Sequence, residues 1–268
     1  MPAVIDPWFL MLAFKMASAA AVVVGCSLLA ERSGPMIAAM IATLPISAGP
    51  VFVFLALDHD AAFIGQAALG GMTSNLANAG LSLAYVLLAQ RFGTLACLVA
   101  ALLAWTAVLF LLRTLEPSFA VMIAATILVY GGLHRLFRPY LAARPKQPPG
   151  RPWYLIPMRA AFVATLAGSV SAASAHVGPA WSGSLAALPV VLSSMIAMLQ
   201  PRIGGPATAA VIANGALALI GFGLALAAVH LTAVPLGSPL SLMLGLAICV
   251  GWNLALMRLS RRARRASP

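Results

Sequence analysis

Two cations stand inside apolar stretches of a chain that otherwise keeps charge at its edges. Lys15 lies in the run opening at Trp8, and Arg159 lies in the run opening at Trp153, 144 positions further on. At 1.5 Å per helical residue, Lys15 sits roughly 10 Å and Arg159 roughly 9 Å from those tryptophans. An ionisable side chain at such depth in a membrane segment is costly and marks a functional site by default. The competing reading is that each long stem carries its charge back to the interface. Turned inward, the pair would flank the bilayer midplane and suit an anionic or electron-rich solute.

Prolines repeat with the same spacing. Gly34-Pro35 is followed after eight residues by Leu44-Pro45, and Gly178-Pro179 is followed after eight by Leu188-Pro189. A proline inside a helix removes one hydrogen bond and clashes with the preceding turn. After Pro45, Ser47 reads as a helix cap with Pro50 in the first turn. A half-helix starting there would aim free N–H groups at the bilayer centre. After Pro189, Ser193-Ser194 offers a weaker restart. The alternative is a plain kink filled by packing. Asn75 and Asn78 share one helix face, and Asn214 lies in the corresponding later run. Buried amides also hold membrane helices together without any solute, and the serines at 169, 171, 174, 182 and 184 read as marks of close helix packing.

These candidates need a membrane frame, and the composition supplies it. Of 268 residues 62% are hydrophobic and 8% charged, against roughly 25% charged in soluble domains. The sequence predicts an all-α, polytopic membrane helical bundle of nine transmembrane helices. They run approximately Trp8–Ala30, Pro35–Leu57, Ala61–Gln90, Thr94–Leu112, Phe119–Leu136, Trp153–Ala173, Pro179–Leu199, Pro206–Leu231 and Pro239–Met257. Asp6 and the lack of basic residues before Trp8 predict that the first run stays as a helix. The net charge of +11 does not indicate nucleic acid, because the basic residues occupy short loops and one terminus. Nine spans put thirteen of the sixteen Lys and Arg on one face, with Asp6, Asp58, Asp60, Glu116 and Arg113 opposite. The positive-inside rule then places the N-terminus outside and the C-terminus in the cytoplasm.

The 144-residue spacing divides the chain. Residues 1–114 form a first four-helix repeat and residues 153–268 a second, with a basic cytoplasmic tail. Residues 115–152 contribute a linker helix and a basic cytoplasmic loop. The odd linker helix starts the second repeat on the opposite face, so the 4+1+4 arrangement makes inverted repeats, a recurring transporter plan. Ala38–Ala48 (AAMIATLPISA), Gly70-Gly71-Met72 and Ala104-Trp105, echoed at Gly183–Val191 (GSLAALPVV), resemble the GlpM-type small four-helix bacterial inner-membrane proteins. The aromatic centre of that family is absent at Ile46-Ser47. The resemblance implies a duplicated four-helix unit in a bacterial inner membrane and carries over no site residue.

Function follows from where these features meet. The sequence predicts a multi-pass transporter or permease for a small anionic or polar solute. Its candidate binding residues are Lys15, Arg159, Pro45, Ser47, Pro189, Ser193, Asn75, Asn78 and Asn214. The expected partners are the lipid bilayer and that solute, with a homo-oligomer left open. The other reading is a non-catalytic accessory or scaffold subunit. No acid–base or metal constellation, P-loop or serine elbow appears, so no enzyme, catalytic residue, metal or cofactor is expected. The three cysteines, Cys26, Cys97 and Cys249, fall inside apolar runs and read as packing residues. A fluorescent protein fused after Pro268 should be fluorescent in cells, and alkaline phosphatase fused there should be inactive; active phosphatase would refute the nine-span topology.

Overall fold

The computed structural model describes residues 7–32, 47–143 and 154–266. Among them are nine α-helices, a short 3-10 turn at Arg138–Tyr140 and no strand. Six of the helices are long and apolar enough to cross a membrane, as expected of a multi-pass membrane protein. Helix α1 spans Pro7–Arg32, α2 Ala48–Asp58, α3 Ala61–Leu88, α4 Thr94–Leu115 and α5 Phe119–Leu136. Helix α6 spans Leu155–Ala186, α7 Val190–Ile203, α8 Gly205–Leu236 and α9 Ser238–Ala266. The expected break at Pro45 and its preceding Gly34-Pro35 lie outside the described residues.

Helix α3 is the centre of the bundle. Its 28 residues are buried along most of their length, including Gly70, Gly71, Ser74, Asn75 and Asn78. It is not among the six helices that are long and apolar enough to cross a membrane. Neighbouring helices, rather than its own side chains, screen it from lipid, so small and polar residues are tolerated on every face. Helix α8 packs on it in antiparallel sense. The Gly65 carbonyl meets His230, Asn75 meets the Leu219 carbonyl, and Gly205 lies against the Ala89 carbonyl. Helices α4, α5 and α6 also pack against α3, while α9 packs on α8.

Local chemistry sets several boundaries. Asp60 accepts from the Phe63 N–H at 2.8 Å and caps α3, which leaves only His59 and Asp60 between α2 and α3. Glu116 ends α4 in the left-handed conformation at φ 43°. Gly178, at φ 75°, bends α6 before Pro179, so the predicted sixth and seventh spans join through a kink without a loop. The predicted seventh span is then interrupted at Ala187–Pro189 and resumes as α7. The freed Ala187 carbonyl accepts from Ser74 Oγ at 2.9 Å. That donor comes from α3, as a helix break within lipid requires.

Glycines let the kinked part of α6 touch α3 backbone to backbone. A Cβ on Gly70 would lie 2.0 Å from the Ala180 carbonyl oxygen, and one on Gly183 would lie 1.7 Å from the Ala67 oxygen. Gly70→Ala and Gly183→Ala should each destabilise the fold by ~1–3 kcal/mol through overpacking. Thermal unfolding in detergent should shift down by several degrees for both. Gly131→Ala, with open space at its Cβ, should show no such loss.

Candidate functional site

A cavity of about 360 Å³ lies where the interrupted span meets α3 and α8. Ser47, Asn78, Pro189 and Asn214, four of the sequence candidates, line it together with apolar residues that include Leu192 and Phe222. Two short helices begin at this cavity: α2, of 11 residues, and α7, of 14. Val191 and Leu192 in the first turn of α7 form part of the wall. The Val190 and Ser193 N–H groups are spent on Leu188 and Pro189 carbonyls, both at 2.8 Å. Val191 and Leu192 therefore supply the first-turn donors of α7, with the partial positive charge of a helix start behind them.

Asn78 is the most informative wall residue. It is 5% exposed, and its Oδ1 is buried with no hydrogen-bond partner among the described residues. A buried amide oxygen left unpaired costs about 1–3 kcal/mol. Asn214 donates to the Ala210 carbonyl at 2.7 Å, which ties it to its own helix. Ser47 occupies the cap position of α2 but has helical backbone angles and makes no cap bond. The capping role expected of it is therefore not realised, because a cap residue needs extended rather than helical backbone angles to turn its side chain onto the first-turn N–H groups. Pro50 does fall in the first turn of α2, as read from the sequence.

The other candidates lie elsewhere. Asn75 Nδ2 donates to the Leu219 carbonyl at 3.1 Å, and its own carbonyl accepts from Tyr130 Oη. It thus joins α3 to α8 and α5. Ser193 Oγ is buried without a hydrogen-bond partner among the described residues and does not line the cavity. Arg159 does not line it either; its Nε is buried and has no hydrogen-bond partner among the described residues. Pro45 lies outside the described residues.

Lys15 is on the buried stripe of α1 with Ala19 and Val23, so it does not snorkel. Its ammonium forms an ion pair with Asp58 and donates to Ser171 Oγ at 3.0 Å. Ser171 in turn donates to Asp58 Oδ2 at 2.7 Å. The charge that suggested an anionic solute is therefore already neutralised by a carboxylate, away from the cavity.

Two side-chain arrangements differ from what the sequence predicts. The sequence places Asp58 in a loop, yet it ends α2 and pairs with Lys15 across 43 positions. Lys15 and Asp58 both fall toward the same predicted face, which was the available signal. Arg113 was also assigned to the aqueous face, but it belongs to α4, which continues to Leu115. Its guanidinium donates to the Ala180 carbonyl and to Ser184 Oγ and lies 4.7 Å from the Trp181 ring centroid. It thereby fastens the kinked segment that leads into the cavity. No protein-family model, curated protein or solved structure matches this chain.

Proposed function

We propose that the chain is a membrane carrier or permease for a small, uncharged polar solute, bound in the cavity between the Ala187–Pro189 break, α3 and α8. The observation that carries this reading is the chemistry of the wall. None of its described lining residues is ionisable, and residues 33–46, which precede Ser47, contain no ionisable side chain. A full charge in such an apolar enclosure would lack a counter-charge and would cost several kcal/mol, at least ~2.5–3.5 on the most lenient membrane scale. A neutral solute with both a donor and an acceptor fits better. Its donor would meet Asn78 Oδ1 and its acceptor the first-turn N–H groups of α7. Small amides, ureas and polyols have that pattern.

The frame around the cavity supports alternating access. Helices α3 and α8 begin 144 positions apart, at Ala61 and Gly205, and α4 and α9 do likewise, at Thr94 and Ser238. Asn75 bonds the residue 144 positions beyond it, Leu219. The antiparallel packing of α3 on α8 is what inverted repeats require, because parallel repeats would run these two helices in the same direction. In this reading the units remain residues 1–114, 115–152 and 153–268. The basic tail faces the cytoplasm of a bacterial inner membrane, and the chain works without an enzyme activity.

Stopped-flow light scattering of proteoliposomes tests this with acetamide, urea and glycerol, and with acetate as the charged comparator. Neutral solutes should equilibrate faster than in protein-free vesicles, and acetate should not. Asn78→Leu should slow the protein-dependent component by about 3- to 10-fold, the equivalent of one neutral hydrogen bond. Equal rates with and without protein for all three neutral solutes would overturn the proposal and favour the scaffold reading.

A further inference from the structure

The two short helices share the cavity at their starts but are anchored differently at their far ends. Helix α7 ends in neutral hydrogen bonds. Tyr85 Oη donates to Gln200 Oε1 at 3.0 Å, and Gln200 Nε2 donates to the Phe92 carbonyl at 3.0 Å. Helix α2 ends in Asp58, whose carboxylate is held by Lys15 of α1 and Ser171 of α6. One residue further, His59 Nε2 lies 2.8 Å from Ser174 Oγ. Ser174 Oγ also donates to the Ser171 carbonyl at 2.8 Å.

This clasp is placed against a local cost. Asp58 is the last residue of α2, where the helix dipole disfavours a carboxylate. Its side chain is 30% exposed and that of Lys15 only 5%, so the ammonium is the group that depends on the pair. The clasp also has no equivalent in the second half. The residues 144 positions beyond Lys15, Asp58 and Ser27 are Arg159, Arg202 and Ser171. Two arginines cannot reproduce a lysine–aspartate pair. In keeping with this, α2 packs on α6, whereas α7 has no comparable packing on α1.

We infer that the Lys15–Asp58–Ser171 clasp is the closure of the solute cavity on the Asp58 side, which is extracytoplasmic in the proposed orientation. The inference rests on the carrier reading above and adds the element that seals one face. With the clasp made, α1, α2 and α6 are fastened together at one end of α2, about 15 Å from the cavity at 1.5 Å per residue. Release of the carboxylate removes the charged tie of α2 to both neighbours at once, leaving the His59–Ser174 bond and apolar packing, and among the described residues the opposite face has no ion pair of this kind. Access is therefore asymmetric at rest.

Thiol labelling tests this without any solute. Cys26, Cys97 and Cys249 are replaced by alanine, and Ala218→Cys puts one thiol in the cavity wall. A membrane-impermeant methanethiosulfonate is then applied from the Asp58 side. The parent should label slowly, and Lys15→Met or Asp58→Asn should speed labelling at least about tenfold, a ~1.4 kcal/mol shift of the closed–open equilibrium. The charge-reversed pair Lys15→Asp with Asp58→Lys should return it toward the parent rate. Should either single variant fail to yield monodisperse protein, Ser171→Ala carries the test, with a smaller increase expected. Unchanged rates in the folded variants would overturn the closure, whatever the flux assay shows. Raised rates without any flux would uphold the closure and refute the carrier reading.

Discussion

A helix broken inside a bilayer leaves carbonyl groups that no water can reach, and this fold is arranged around supplying them with donors. The break at Ala187–Pro189 would be untenable without Ser74 on the Ala187 carbonyl. The preceding segment is held the same way, by Arg113 on Ala180 and by Ser184 Oγ on the Gly70 carbonyl at 2.8 Å. The Ser74 and Ser184 bonds need close approach of α3, and that is why α3 carries glycine and serine where a lipid-facing helix would carry leucine. The cavity is a by-product of the same arrangement. Where the chain turns aside at Pro189, side chains that would have filled the space are absent, and the start of α7 borders the gap.

Much of this architecture was legible in the sequence, for physical reasons that can be named. The fifth span, Phe119–Leu136, was read to the residue, because Glu116-Pro117 and the basic pair His134-Arg135 mark both ends. The interruption at Pro189 was legible because Leu188-Pro189 falls in the middle of an apolar run. Four of the nine candidates, Ser47, Asn78, Pro189 and Asn214, each from a different predicted span, line one cavity, whereas Lys15, Asn75, Arg159 and Ser193 do not.

What the sequence hid are the partners of charges. Periodicity and hydropathy describe one segment at a time, whereas the fate of Lys15 depends on Asp58 and Ser171, in two other helices. Arg113 was hidden for a related reason. A cation near the end of an apolar run reads as interfacial. Its true acceptor, the Ala180 carbonyl, is brought within reach only by the bend at Gly178. Once Lys15 is paired, an anionic solute loses its main support, and the uncharged amide wall becomes the feature that defines the site.

The glycine contacts between α3 and the kinked part of α6 have a mechanical meaning. Backbone touching backbone leaves no side chains to re-pack, so these two elements move as one rigid body or not at all. One wall of the cavity is therefore stiff. Among the described residues nothing lies near the Cβ position of Gly49, in the first turn of α2, in contrast to Gly70 and Gly183. Compliance is thus concentrated on the side of the short helices, and a solute entering the cavity would displace α2 or α7 against a wall that does not yield.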